Sequence, residues 1–249
     1  MEQRVRRHET LLVLGVSLAA SAVWSLLRIV DRLTRQESLA DQTAALNVSR
    51  TPDRPWLDLA YQLADIALSL VPVALALHLL NRDPQDACRR IGLDLRRPGF
   101  DLGTGTGLAA LIGIPGLGLY LAAHHLGLSA TVVPAALAPV WWAVPVLILA
   151  AAQNALLEEV VGVGYLLTRL EQLGWRAATA VGASAVLRGT YHLYQGFGGF
   201  VGNAIMGVIF GVCYLRFRRV APLVVAHTLL DVVAFVGYAM FRDHVSWLP

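Results

Sequence analysis

The sequence predicts an all-α, polytopic transmembrane bundle, and three observations predict it. Of its 249 residues, 56% are hydrophobic, and the mean hydropathy is +0.58. Only 15% are charged, against roughly 25% in soluble domains. Apolar runs of spanning length, about 20 residues, recur along the whole chain. A water-soluble enzyme is therefore disfavoured. The net charge of +3, from 20 basic and 17 acidic residues, is too small to argue for a nucleic-acid partner. Cys88 lies in a polar loop and Cys213 in an apolar run, so neither a disulfide framework nor a thiolate zinc site is expected.

Seven spans are expected, eight if one segment is re-entrant. The first, residues 10–27, is uncharged and follows Arg4, Arg6 and Arg7. It stays apolar beyond the small-residue site at Ala20-Ser21-Ala22, so it reads as an uncleaved helix rather than a signal peptide. The second covers residues 56–80. Residues 102–157 hold no Asp, Glu, Lys or Arg, enough for two spans divided near Pro134 and Pro139. The fourth continues through Glu158 and Glu159 to about Leu170. Residues 176–194, 200–215 and 222–241 supply the rest.

Arginine placement orients them, N-terminus in and C-terminus out. Arg82, Arg89, Arg90, Arg96 and Arg97 crowd the loop after span two, and Arg216, Arg218 and Arg219 the last inner turn. Residues 124–138 and 195–199 carry no Lys or Arg and are assigned outside. The loop with Arg32, Arg35, Arg50 and Arg54 resists this rule, although Asp31, Glu37, Asp41 and Asp53 dilute it.

Ionisable groups inside a span cost several kcal/mol and face a cavity or one another, which makes four sets informative. Glu158 and Glu159 interrupt an apolar helix behind Gln153 and Asn154. At about 100° per residue, one carboxylate can face a cavity while the other is held by a neighbouring helix. His227 and Asp231 are one turn apart and share a face. Arg188 precedes His192 by one turn, among Tyr191, Tyr194 and Gln195. Asp58 and Asp65 sit near the start of span two, do not share a face well, and read mainly as interfacial. Two histidines and a glutamate from three helices can hydrolyse a bond in two ways. They can hold a zinc ion with an open position for water, or a glutamate can activate water directly while histidine and a polar partner stabilise the oxyanion. The sequence leaves both open.

From about residue 139 to 241 the chain resembles the CAAX prenyl protease and bacteriocin-processing family of intramembrane proteases. That family carries a Glu-Glu pair with an arginine four residues after the second Glu, then Phe-x-x-x-His, then His-x-x-x-Asn or Asp. Here Glu158 and Glu159, His192, and His227 with Asp231 occur in that order on three apolar segments. The resemblance implies an endopeptidase acting near the cytoplasmic face of a prokaryotic plasma membrane, on a peptide or protein substrate that includes prenylated tails. It implies Glu158 as the water-activating base, Glu159 as its supporting carboxylate, and His227 and Asp231 on the oxyanion side. Glu158, His192 and His227 would be the ligands of any divalent metal such as zinc. Residues 101–249 would form the catalytic core, and residues 1–100 the N-terminal helices with their arginine-rich loop.

Two positions depart from the pattern: Val163 stands in place of the arginine and Arg188 in place of the phenylalanine. Loss of activity is one reading, which would leave a silent relative acting as an immunity or scaffold protein. The other is a swap, in which Arg188 reaches Glu159 across two helices; its alternative is an arginine that only snorkels or bonds backbone carbonyls. Gly207-x-x-x-Gly211 reads as a close helix contact, His124 and His125 as solvent-exposed in an outer loop, and Trp141 and Trp142 as interfacial anchors.

Overall fold

The computed structural model describes residues 2–241; the C-terminal tail assigned to the outside lies beyond the described residues. The all-α expectation holds. Helices α1 (Glu2–Gly15) and α2 (Leu18–Leu33) meet at a 48° bend. Pro55 opens α3 (Pro55–Ser69), and α4 (Val71–Leu80) continues it past Pro72. The short α5 (Ala87–Ile91) is capped by Asp86, which accepts from the Arg89 amide at 2.9 Å, and ends on Gly92 in the left-handed region at φ 66°. Then come α6 (Pro98–His125), α7 (Ala143–Leu156), a π-helical segment (Leu157–Tyr165) and α8 (Leu166–Gln172). Helix α9 (Ala177–His192), a 3-10 turn, α10 (Phe197–Phe217) and α11 (Ala221–Phe241) complete the described chain.

Five helical stretches are long and apolar enough to cross a membrane, or six if the bent α1–α2 pair is one span. This chain is an integral membrane protein, but seven full spans do not appear among the described residues. The difference lies in α9, which has 16 residues and at 1.5 Å each reaches only about 24 Å. The stretch Ala143–Gln172 lies at the centre. Its most apolar window is 61% buried inside the protein, against 11 to 28% for the other four. Its polar residues therefore face protein rather than lipid, which is where such groups can find partners.

Helices α9 and α10 touch through the small-residue pair. A Cβ on Gly207 would lie 2.9 Å from Ala185 Cα, and one on Gly211 2.9 Å from Val181 Cγ1. The Gly-x-x-x-Gly contact is thus realised, and it brings α10 against the helix that carries Arg188 and His192.

One end of the bundle gathers the arginines of the expected inner loops. Arg169 bonds Asp83 at 3.0 Å, Gln172 at 2.7 Å and the Leu79 carbonyl at 2.6 Å, while Arg90 also reaches Asp83. Arg219 makes a two-point contact with Asp101, both bonds 2.7 Å. At the other end an unforeseen two-stranded parallel sheet joins β1 (Thr43–Ala45) to β2 (Thr131–Val133), and Gly196 bridges Ser129. The loop of residues 34–54, whose arginines resisted the orientation rule, therefore sits beside residues 126–142. One expectation is corrected at this end, that of Trp142 as an interfacial anchor. Asp58 is buried and accepts from the Arg50 and Thr51 amides at 2.7 and 3.2 Å, while Asp65 bonds the Arg50 guanidinium at 2.6 Å; both carboxylates serve one loop. Trp142 is 3% exposed, whereas Trp141 is 76% exposed and meets Trp56 edge-on.

Candidate active site

The π-helical segment positions the two glutamates. Its wider turn, with i to i+5 bonding, is rare and tends to mark functional sites. Side chains of neighbouring helices occupy carbonyls along it: Ser184 Oγ donates to the Gly162 carbonyl at 2.7 Å and Thr168 Oγ1 to the Gly164 carbonyl at 2.6 Å. Gly164 leaves room for Ile91, whose Cδ1 would stand 3.3 Å from an added Cβ. Although the two side chains leave the helix in different directions, both carboxylates reach the same guanidinium. Arg188 Nη2 lies 2.7 Å from Glu159 Oε1 and 3.2 Å from Glu158 Oε2. The expected contact between Arg188 and Glu159 is present. The guanidinium also stacks over Phe210, 5.3 Å from the ring centre.

The five site residues singled out in the sequence, together with Arg188, fall into two layers. Glu159, Arg188 and His227 form the inner one, with side chains 0, 4 and 7% exposed. His227 Nδ1 lies 2.7 Å from Glu159 Oε1. A carboxylate only accepts, so Nδ1 carries the proton and the 3.1 Å approach of Arg188 Nη2 is a packing contact. Glu158, His192 and Asp231 form the outer layer, 14, 16 and 20% exposed. His192 Nδ1 is 3.1 Å from the Arg188 carbonyl; that oxygen also only accepts, so Nδ1 carries a proton and Nε2 faces Glu158 Oε1, 4.0 Å away. Asp231 Oδ1 stands 3.7 Å from His227 Nε2, and its other oxygen accepts from Asn154 Nδ2 at 3.3 Å.

Two participants escaped the sequence reading. The Tyr191 hydroxyl donates to Glu158 Oε2 at 2.8 Å, and Asn154 orients Asp231. Both were visible only as polar neighbours of charged residues, since nothing in the chain order shows what lies across a helix interface.

Among the described residues, the group of three that could hold a metal ion is Glu158, Glu159 and His227, with ligand atoms within 4.8 Å of one another; His192 is outside it. The donor types suit zinc, but the position does not. Arg188 Nη2 lies within 3.2 Å of an oxygen or nitrogen of all three. An ion bound at roughly 2.1 Å from Glu159 Oε1 would sit within about 5 Å of that guanidinium nitrogen, two cations in one buried pocket. Glu158 Oε1 and His192 Nε2 by themselves supply only two ligands, one fewer than a catalytic zinc site uses. With Arg188 in place the residues do not fit a metal.

No curated protein and no solved structure matches this chain. Residues 139–233 match the family model described as Rce1-like, type II CAAX prenyl endopeptidase Rce1-like. That span contains both glutamates, both histidines, Arg188 and Asp231. The match covers less than half of the chain, and it makes segment 139–233 of this membrane protein similar to the Rce1-like, CAAX-type endopeptidases.

Proposed function

We propose that this chain is an intramembrane endopeptidase in which Glu158 activates water beside His192, without a metal. The observation that carries the reading is the layered geometry. Arg188 and Tyr191 fix Glu158 Oε2, which leaves Oε1 facing His192 Nε2 across 4.0 Å. That distance is too long for a direct hydrogen bond and suits a bridging water. With the His192 ring neutral, both flanking atoms are acceptors. A water between them donates both its protons and turns its lone pairs outward to a substrate carbonyl. Glu158 removes one proton as the oxygen attacks, and returns it to the leaving amide nitrogen when the C–N bond breaks. On the oxyanion side the donor is an imidazolium His227, paired through Nδ1 with Glu159 and presenting Nε2–H beside Asp231, which Asn154 holds.

The substrate is a peptide that reaches the bundle from the arginine-rich end, taken as cytoplasmic, and prenylated C-terminal tails are the first class to try. A second reading has one observation in its favour. The guanidinium that neutralises Glu159 also engages Glu158, as expected for a silent relative that binds a membrane partner. Cleavage of a farnesylated C-terminal peptide in proteoliposomes, read by mass spectrometry, separates the two. The wild type should release the terminal tripeptide, and Glu158→Gln should be about 10²–10⁴-fold slower while still folded. Absence of cleavage by the wild type across prenylated and unprenylated peptides would favour the silent relative.

A further inference from the structure

Helix α1 divides into two faces with different partners. On one, Thr10 and Val13 are buried, Glu9 pairs with Arg82 and Arg6 approaches Asp83 at 3.8 Å. On the other, Arg4, Arg7, His8 and Leu11 follow one another at helical spacing. Among the described residues neither Arg4 nor Arg7 has an acidic partner, although ten other arginines do.

That second face lines a groove of about 1120 Å³ between α1, α8 and α9. The volume exceeds the roughly 300–1,000 Å³ of sites for drug-sized molecules. Its opposite wall is apolar, with Leu170 from α8 and Leu187 from α9, and Trp175 stands at the rim, 46% exposed. The groove thus runs from two unpaired guanidiniums to an aliphatic floor, with an aromatic ring where headgroups meet acyl chains. Leu187 immediately precedes Arg188 in the chain.

We propose that this groove is a binding site for an anionic phospholipid, its phosphate on Arg4 and Arg7 and an acyl chain along Leu11, Leu170 and Leu187. Charge complementarity selects the headgroup, since one arginine near an anionic lipid surface strengthens attraction about fivefold. The apolar wall requires a tail, so a free phosphate does not suffice. The N-terminal helix, which lies outside the matched domain, acquires a role in seating that domain in its membrane.

The test is native mass spectrometry of the full chain in mild detergent, titrated with phosphatidylglycerol or with phosphatidylcholine of the same chains. The wild type should retain phosphatidylglycerol at least tenfold better, and glycerol phosphate should not bind. Arg4→Gln with Arg7→Gln should bring the anionic lipid down to the phosphatidylcholine level. Both positions are exposed and unpaired, so that variant should fold, which its unfolding temperature checks. Ala183→Trp, which fills the groove, should expel both lipids. Equal retention of the two lipids by the wild type, or an undiminished preference in the double variant, would overturn the proposal.

Discussion

Arg188 sets the charge balance of the buried layer. Two glutamates lie within 3.2 Å of its terminal nitrogen, and the inner one is fully buried. Removing one partner of a buried pair costs about 3–5 kcal/mol, because the other charge is left uncompensated. Arg188→Met should therefore lower the unfolding temperature markedly, whereas Arg188→Lys should recover part of it. The same change tests the incompatibility with metal. Wild-type protein should hold far less than one zinc per chain by elemental analysis, and Arg188→Met should take up zinc through Glu158, Glu159 and His227; zinc at one per chain in the wild type would contradict the fit argued from Nη2. Glu158, Glu159, His192, His227 and Asp231 were legible because each is an ionisable group in an apolar run, where only a protein partner makes it tolerable. The Arg188 contact was legible as two anomalies that cancel. Tyr191 and Asn154 were not, since neutral polar residues are tolerated in membrane helices for many reasons.

At the scale of elements, the π-helical segment and the α9–α10 contact hold the glutamates against Arg188. Ser184→Ala removes the donor to the Gly162 carbonyl and should cost about 1–3 kcal/mol, the penalty for a buried polar group left unpaired. Gly207→Val places methyls where a Cβ already meets Ala185 Cα at 2.9 Å and Arg188 Cδ at 3.3 Å. It should cost about 1–3 kcal/mol by overpacking and also slow cleavage by displacing Arg188. Unchanged cleavage in a folded Gly207→Val protein would detach this contact from the site. The spans were legible from hydropathy, but three features were not. Hydropathy does not register the tighter or wider turns of a helix, so nothing in the apolar run sets the π segment apart from ordinary α-helix. It does not distinguish a 16-residue helix closed by a 3-10 turn, such as α9, from a full span. The strands Thr43–Ala45 and Thr131–Val133 are too short to show an alternation and pair only because the bundle brings their loops together.

The whole molecule is polarised, with Asp83, Asp101 and their arginines at one end and the small sheet at the other. Reporters fused after Arg97 and after Arg219 should lie in the cytoplasm and one after His125 outside; a cytoplasmic signal at His125 would reverse the orientation. The charged end also predicts a pH dependence. Burial would raise the Asp83 carboxyl, but the Gln172 hydrogen bond and the Arg169, Arg90 and Arg6 guanidiniums outweigh it, and its pKa is lowered. A lowered carboxyl contributes stability above its unfolded value of about 4, and that contribution is lost as pH falls through the lower folded value. Unfolding temperature should thus drop below pH 4 in the wild type and more weakly in Asp83→Asn, which starts lower because Arg169 has lost its carboxylate. The central claim, a glutamate-activated water with no metal, is tested most directly by peptide cleavage in chelator-stripped proteoliposomes, wild type beside Glu158→Gln. The stripped wild type should keep its full rate while Glu158→Gln falls at least about 100-fold with the same unfolding temperature; a stripped rate that zinc restores, or undiminished cleavage by Glu158→Gln, would contradict it.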